Sequence, residues 1–532
     1  MHNTYNIYKI RHERLNDLKQ KLEMVGLFEQ KTLQSKEYEM KFYFSEKVEG
    51  NPIWWWQTYR DFFKDGLDEP KNYFYFGVLL CSDTKNEERI YAISLGKAHF
   101  YLSKFISSDF GINLAVRMAD ENTILLKKSR YFAGSKRQDV SSYEKFQKDS
   151  YEPGESVDHL KLKASDKEIW GKKNIIFADS IQMDMDIHPS NLSSVFEQID
   201  AHSVKDEIIQ LPKLEQVENE LGYDLDGLLL ACLRDEQGKV NVEEFSVHGV
   251  AICFSFHDYE YRLSAKNPGQ DKYHKKNIGN TLEISAIREF LEENRDIVDV
   301  NSIRVQFQND ELGSFTKGLK EVLDLPIFHD NSYYFLRNGE WYKFNQIFMD
   351  YLKRSLESIE LVKMVDLSEK DYLAWKADKE RKILAKEDVD DKLVYRESYF
   401  NKKLCTDHGY ELLDRQLTQI RSLSEGRQKY KVEIADLYKK NEIISVKISE
   451  ANHDLIYNIE QSKDSVELIM RKSVDFEHKL VSAGLWFVFE GDVEKITDIN
   501  SVQFLLAIEA WRKLVKSFNL KPRIYISKHD LT

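Results

Sequence analysis

The sequence predicts an α+β multidomain protein, and three observations carry that prediction. Its 532 residues exceed what one core usually organises, since domains average roughly 150 residues. Apolar residues make up 42% and charged residues 31%, with only 22 Gly and 8 Pro, a balance suited to a chain folded nearly throughout. Apolar repeats of period two and of period 3.6 both occur in every part of the chain. The patterns divide it into an N-terminal α+β recognition domain over 1–210, a middle α+β domain over 211–365 and a C-terminal domain over 366–532.

The elements follow in order. Tyr5 to Ile10 alternates as a short strand, Leu15 to Leu27 is helical, and Tyr38 to Phe44 is a strand. Trp54-Trp55-Trp56 and the run from Tyr73 to Leu80 are too aromatic for full solvation, so they form a buried strand or a contact surface. Glu155 to Lys163 and Ile175 to Ile187 read as strands, Asn280 to Asn294 as a helix, and Ser332 to Phe344 as a hairpin turning at Asn338-Gly339. Ser368 to Leu404 is charged and free of Pro and Gly, which suits one exposed helix.

The last third is the most legible. Tyr410 to Thr418, Tyr430 to Tyr438 and Ile443 to Ile448 read as three strands. Leu455, Ile459, Val466 and Met470 recur at helical spacing and mark a face that packs on a sheet. Leu485-Trp486-Phe487-Val488-Phe489 is a continuous apolar run between Gly484 and Gly491, the mark of a central strand covered on both faces. Ser501 caps a helix bearing Phe504, Leu505, Ile508, Trp511 and Val515, and Pro522 precedes a final strand. The order is αβββαβ, then αβ.

Charge narrows the function. The net charge is −13, which argues against coating of a polyanion by the whole surface. Residues 401–532 carry 21 basic and 20 acidic side chains, hence +1, so the acidity sits in residues 1–400. A local basic groove stays open: Lys127, Lys128, Arg130, Lys136 and Arg137 interleave with Tyr131 and Phe132, a composition that can hold phosphates and stack bases. A solvated charged face is the plainer explanation. Cys81, Cys232, Cys253 and Cys405 lack the spacing of zinc or redox pairs and read as reduced core thiols. The first residues lack a signal-peptide pattern and no run approaches bilayer length, so a soluble cytoplasmic protein without membrane contact is expected.

Two short motifs are weak leads. Asp109-Phe110-Gly111 matches the metal-binding tripeptide of protein kinases, but no glycine-rich phosphate loop or His-Arg-Asp loop accompanies it, so it reads as a turn. Asp184, Asp186 and His188 alternate and would share one strand face, as metal ligands or simply as an exposed face of the strand. No P-loop, HExxH or GxSxG pattern occurs.

The αβββαβ order resembles the core of the restriction-endonuclease-like, or PD-(D/E)XK, nucleases, a mixed sheet flanked by helices. The resemblance implies Asp414, Glu433 and Asp436 as candidate ligands of Mg²⁺ or Mn²⁺, with Glu397, Lys447 and Gln461 as candidate catalytic residues. Such chemistry needs carboxylates to hold a hard cation and a lysine to stabilise charge or assist an attacking water. Glu433 and Asp436 are three apart and cannot share a strand face. A three-residue loop sets Glu433 opposite Lys447 and is preferred here; the two-residue loop Lys440-Asn441 instead puts Asp436 on the lysine's face. Two departures stand out: Ser445 replaces the acid of the acid-x-Lys pattern, and Ser465 replaces the Tyr that follows Gln461 in RecB-like members.

Segments 108–113, 154–157, 338–342 and 433–461 also look like parts of a sporadically distributed family of uncharacterised bacterial proteins from mobile elements and defence islands. Together the resemblances imply an antiviral-defence nuclease hydrolysing phosphodiesters in DNA or RNA, with DNA the favoured partner. A catalytically inactive nucleic-acid sensor is the alternative, and a protein-interaction scaffold using the aromatics near Trp54 is another. A homo-oligomer or a defence partner protein is compatible with each.

Overall fold

The computed structural model describes residues 3–531 except 46–52, 54, 72–74, 134–136, 148–149, 218, 235–240, 243–258, 268–272, 310–312, 331, 338, 388, 390–392, 414–416, 420–430, 434, 475 and 500. It is α+β, with mostly antiparallel sheets. The chain forms two compact units, one of residues 1–130 with 137–216, the other of residues 131–136 with 217–532.

The first unit is built on a ten-stranded sheet. From one edge it runs Leu27–Ser35, Tyr38–Ser45, Gly77–Asp83, Ile90–Leu95 and Asn3–Lys9, then Ile181–Met185, Ile175–Phe177, Glu155–Leu162, Leu126–Tyr131 and Arg137–Ser142. The expected single strand from Ile175 to Ile187 is two antiparallel strands, with Phe177 opposite Ile181. Asp179 and Ser180 explain the break, because short polar side chains favour a turn. Helix Leu15–Met24 buries Leu18 and Leu22 against the sheet core formed by Tyr8, Val78, Leu80 and Ile90.

Gly111 acquires a structural reason here. Helix Phe110–Met118 lies so close to the sheet that a Cβ on Gly111 would come within 2.3 Å of the Ser180 carbonyl oxygen and 2.6 Å of that of Ala178. Only glycine permits this approach, and the Ile112 amide donates to the Ala178 carbonyl at 3.1 Å. Asp184 takes the Thr4 hydroxyl at 2.7 Å, and His188 caps the turn Pro189–Asn191. Among the described residues neither belongs to a group of three or more possible metal ligands.

In the second unit, helices Asn219–Arg234 and Ile284–Glu293 share a core with the sheet of Tyr273–Gly279, Glu260–Lys266, Ile303–Asn309 and Gly313–Gly318. Strands Ser332–Arg337 and Glu340–Phe344 form the expected hairpin. Trp341 donates its indole N–H to Asp226 at 2.8 Å inside that core.

The C-terminal layer positions the site. The order Glu360–Lys363, Lys521–Asp530, Ser482–Phe489, Glu442–Ile448 is parallel throughout, and Leu437–Lys439 and Glu411–Leu412 continue it antiparallel. Ser482–Phe489 is buried at every position, as its apolar run predicts. Helix Asn452–Met470 connects Glu442–Ile448 to Ser482–Phe489, and helix Val502–Ser517, capped by Ser501, connects Ser482–Phe489 to Lys521–Asp530. These are the crossovers that parallel strands require. The expected single helix from Ser368 to Leu404 is two, Glu369–Leu384 and Arg396–His408. Just before the second helix the Val394 carbonyl accepts the Tyr372 hydroxyl at 2.8 Å.

The two long strands expected before Ile443 are short. Tyr410 to Thr418 contributes only Glu411–Leu412 to this sheet, and Leu417–Gln419 pairs instead with Lys431–Glu433 in a separate two-stranded sheet.

Candidate functional site

The convergence of charge begins with a two-residue turn. Lys439 pairs with Glu442, so Lys440 and Asn441 form the loop, with φ of 49° and 65°. Two consecutive left-handed residues suit a tight hairpin whose twist matches its strands, and Asn tolerates that conformation well. The three-residue alternative, and with it the pairing of Glu433 to Lys447, is corrected: Glu433 stands opposite Leu417 in the other sheet. Asp436 is the acid this hairpin brings to the strand of Lys447. Its backbone amide donates to the Ile444 carbonyl at 3.2 Å, and its carboxylate accepts the Val446 amide at 2.7 Å.

Along Glu442–Ile448, side chains alternate. Ile444 and Val446 join the core of Phe400, Leu404 and Trp486, so Ser445 and Lys447 face the other way. Glu397, in the first turn of helix Arg396–His408, reaches the same strand end. Its Oε1 lies 2.9 Å from the Lys447 ammonium and accepts the Ile448 amide at 3.3 Å. Burial pulls the Lys447 pKa down, but the hydrogen bond and charge of Glu397, with the charges of Asp454 and Asp436, more than offset it and leave it raised. At neutral pH this lysine is a cation and a donor, not a base.

The other expected site residues are distributed differently. Asp414 lies outside the described residues. Gln461 is in the third turn of helix Asn452–Met470, roughly 14 Å along the axis from its start, with its carbonyl accepting from Ser465. Ser445 is buried. Among the described residues no three His, Cys, Asp or Glu side chains gather to hold a metal ion. Asp436 and Glu397 engage backbone amides and Lys447, and Ser445 offers only a hydroxyl.

The basic segment of the first unit is corrected in part. Lys127 is 2% exposed, with its ammonium 2.7 Å and 2.9 Å from the two Glu155 oxygens and 2.9 Å from the Ser150 carbonyl. It serves the interior and is not presented to a phosphate. Arg130 is mostly buried near Asp158, and Lys128 is half-buried. Lys136 lies outside the described residues; Arg137 begins an edge strand. Phe132 packs edge-on against Phe335, Phe344 and Phe348, and Tyr131 is buried, so neither ring is free to stack a base. Of the tryptophan run, Trp56 is buried while Trp55, with Tyr59 and Phe62, is exposed. Cys81 is buried and burial pushes its thiol pKa far up, which fits packing; Cys253 lies outside the described residues.

Sequence reasoning missed a pocket beside this cluster. It lies at the carboxyl ends of the parallel strands, where open α/β sheets commonly bind ligands, and measures about 350 Å³. Tyr372, Tyr395, Arg396, Glu397, Ser449, Glu450, Glu490 and His529 line it. Arg396 donates to both oxygens of Glu369 at 2.8 Å and 2.7 Å, and His529 Nε2 lies 2.7 Å from Glu369. The Arg396 hydrogen bond, opposed by burial and aided by His529, holds the Glu369 carboxyl down to about 2. Glu369 and His529 are 160 positions apart, so no spacing rule could have joined them.

The model of a family of unknown function, DUF6119, matches residues 5–484. No curated protein and no solved structure matches. No helix among the described residues is long and apolar enough to cross a membrane.

Proposed function

We propose, for a chain that belongs to the DUF6119 family of unknown function, that its C-terminal layer is restriction-endonuclease-like and grips a nucleic-acid phosphate backbone through Lys447. The observation that carries this is the meeting of Lys447, Glu397 and Asp436 at one strand end, in a sheet where Glu411–Leu412, Leu437–Lys439 and Glu442–Ile448 lie between helices Arg396–His408 and Asn452–Met470. Lysine acts on phosphate as a cationic donor with three N–H bonds to give. Glu397 orients the ammonium and Asp436 fixes the hairpin beneath it. This is the sensing alternative, and Ser445 at the position of the usual acid favours it over hydrolysis. Recognition of invading nucleic acid is the setting that the resemblance to defence-island proteins suggests.

Hydrolysis is the second reading, favoured by two carboxylates flanking one lysine. Purified protein is incubated with DNA and RNA, with EDTA or with Mg²⁺ or Mn²⁺, beside Lys447→Ala and Asp436→Ala. Salt-sensitive binding in EDTA, weakened about tenfold or more by Lys447→Ala, supports the first reading. Metal-dependent cutting lost in both variants would replace it with the second, and binding indifferent to Lys447 would reject both.

A further inference from the structure

The pocket beside Lys447 has a lining that selects among ligands. Glu369 pairs with Arg396, on which the charge of Glu490 also acts, and Glu397 pairs with Lys447, so with Glu450 the lining carries more carboxylates than cations. One Glu450 oxygen accepts the Glu490 amide at 2.6 Å. His529 is 4% exposed, and because a carboxylate only accepts, the hydrogen shared with Glu369 belongs to Nε2. Its Nδ1 makes no hydrogen bond among the described residues. Beside that ring nitrogen the pocket offers two carboxylates, which only accept. Excess negative charge excludes a phosphate from the pocket itself and welcomes O–H and N–H groups.

We infer that the pocket takes the ribose and base of a ribonucleoside whose phosphate lies outside on Lys447, so that the ligand is RNA in preference to DNA. This rests on the phosphate-gripping reading above. The 2′-hydroxyl distinguishes the two polymers, and a carboxylate is a strong acceptor for it. Tyr395, more than a third exposed, and the Arg396 guanidinium give planes on which a base stacks. The pocket volume lies at the lower end of the range typical of small-ligand sites, enough for one nucleoside unit rather than a duplex.

The test is fluorescence polarisation in EDTA with the full chain and three labelled single strands of one sequence: RNA, DNA and 2′-O-methyl RNA. RNA should bind about tenfold more tightly than DNA, the effect of one hydrogen bond to a charged acceptor, with 2′-O-methyl RNA falling to the DNA level. Glu450→Gln/Glu490→Gln and, separately, His529→Ala should erase the difference while Lys447→Ala weakens RNA and DNA alike. Equal binding of RNA and DNA by the wild type, or a preference that survives in both pocket variants, overturns the inference. Failure to bind any strand sinks the backbone-gripping reading itself, which separates the two failures.

Discussion

Replacing Lys127 by Met tests whether a basic residue singled out for phosphate contact instead serves the interior. In the structure its ammonium makes two bonds to Glu155 and one to the Ser150 carbonyl, with the lysine 2% and the glutamate 0% exposed. The substitution leaves the Glu155 carboxylate buried with the Glu152 amide at 2.9 Å. Breaking one side of a buried ion pair costs about 3–5 kcal/mol, because the remaining charge loses both its partner and its water. Urea unfolding followed by circular dichroism should show the first unit destabilised by that amount. Lys127→Met/Glu155→Leu should recover much of the loss, since an apolar pair leaves no charge stranded. A single variant within 1 kcal/mol of wild type, or one that loses nucleic-acid binding at unchanged stability, would refute the reasoning.

Two further outcomes follow from the geometry. Gly111→Ala pushes a methyl into two carbonyl oxygens and should destabilise the first unit by about 3 kcal/mol, the upper end for overpacking, as read by the same unfolding assay; a neutral effect contradicts the close approach. Arg396 and His529 hold the Glu369 carboxyl down to about 2 against an ordinary 4.5, so its stabilisation is complete above pH 4.5 and is lost as pH falls toward 2. Wild type should therefore exceed Glu369→Gln in stability at pH 7, with the gap closing below pH 4.5; a constant gap across that range argues against the Arg396 and His529 pairing.

What the sequence made legible depended on local periodicity. Ser482–Phe489 and helix Val502–Ser517 were readable because a continuous apolar run and a capped stripe are properties of neighbouring residues. Lys447 and Glu397 were readable as residue types on adjacent elements. The turn was harder: Lys440 and Asn441 fit a two-residue loop, but only the pairing of Lys439 with Glu442 decides between Asp436 and Glu433. The basic segment misled because a lysine written among charges can still be drawn inward by a glutamate 28 positions away. The pocket was invisible, since Glu369, Arg396 and His529 meet only once the last strand lies beside the helices that precede the sheet.

The most direct measurement is the salt dependence of nucleic-acid affinity for wild type and Lys447→Ala in EDTA. If the ammonium held by Glu397 meets a phosphate, the variant binds more weakly at low salt and the slope of log K against log salt falls by about 1. Identical slopes and affinities would contradict the account, because they would leave the lysine as an ion pair with no ligand.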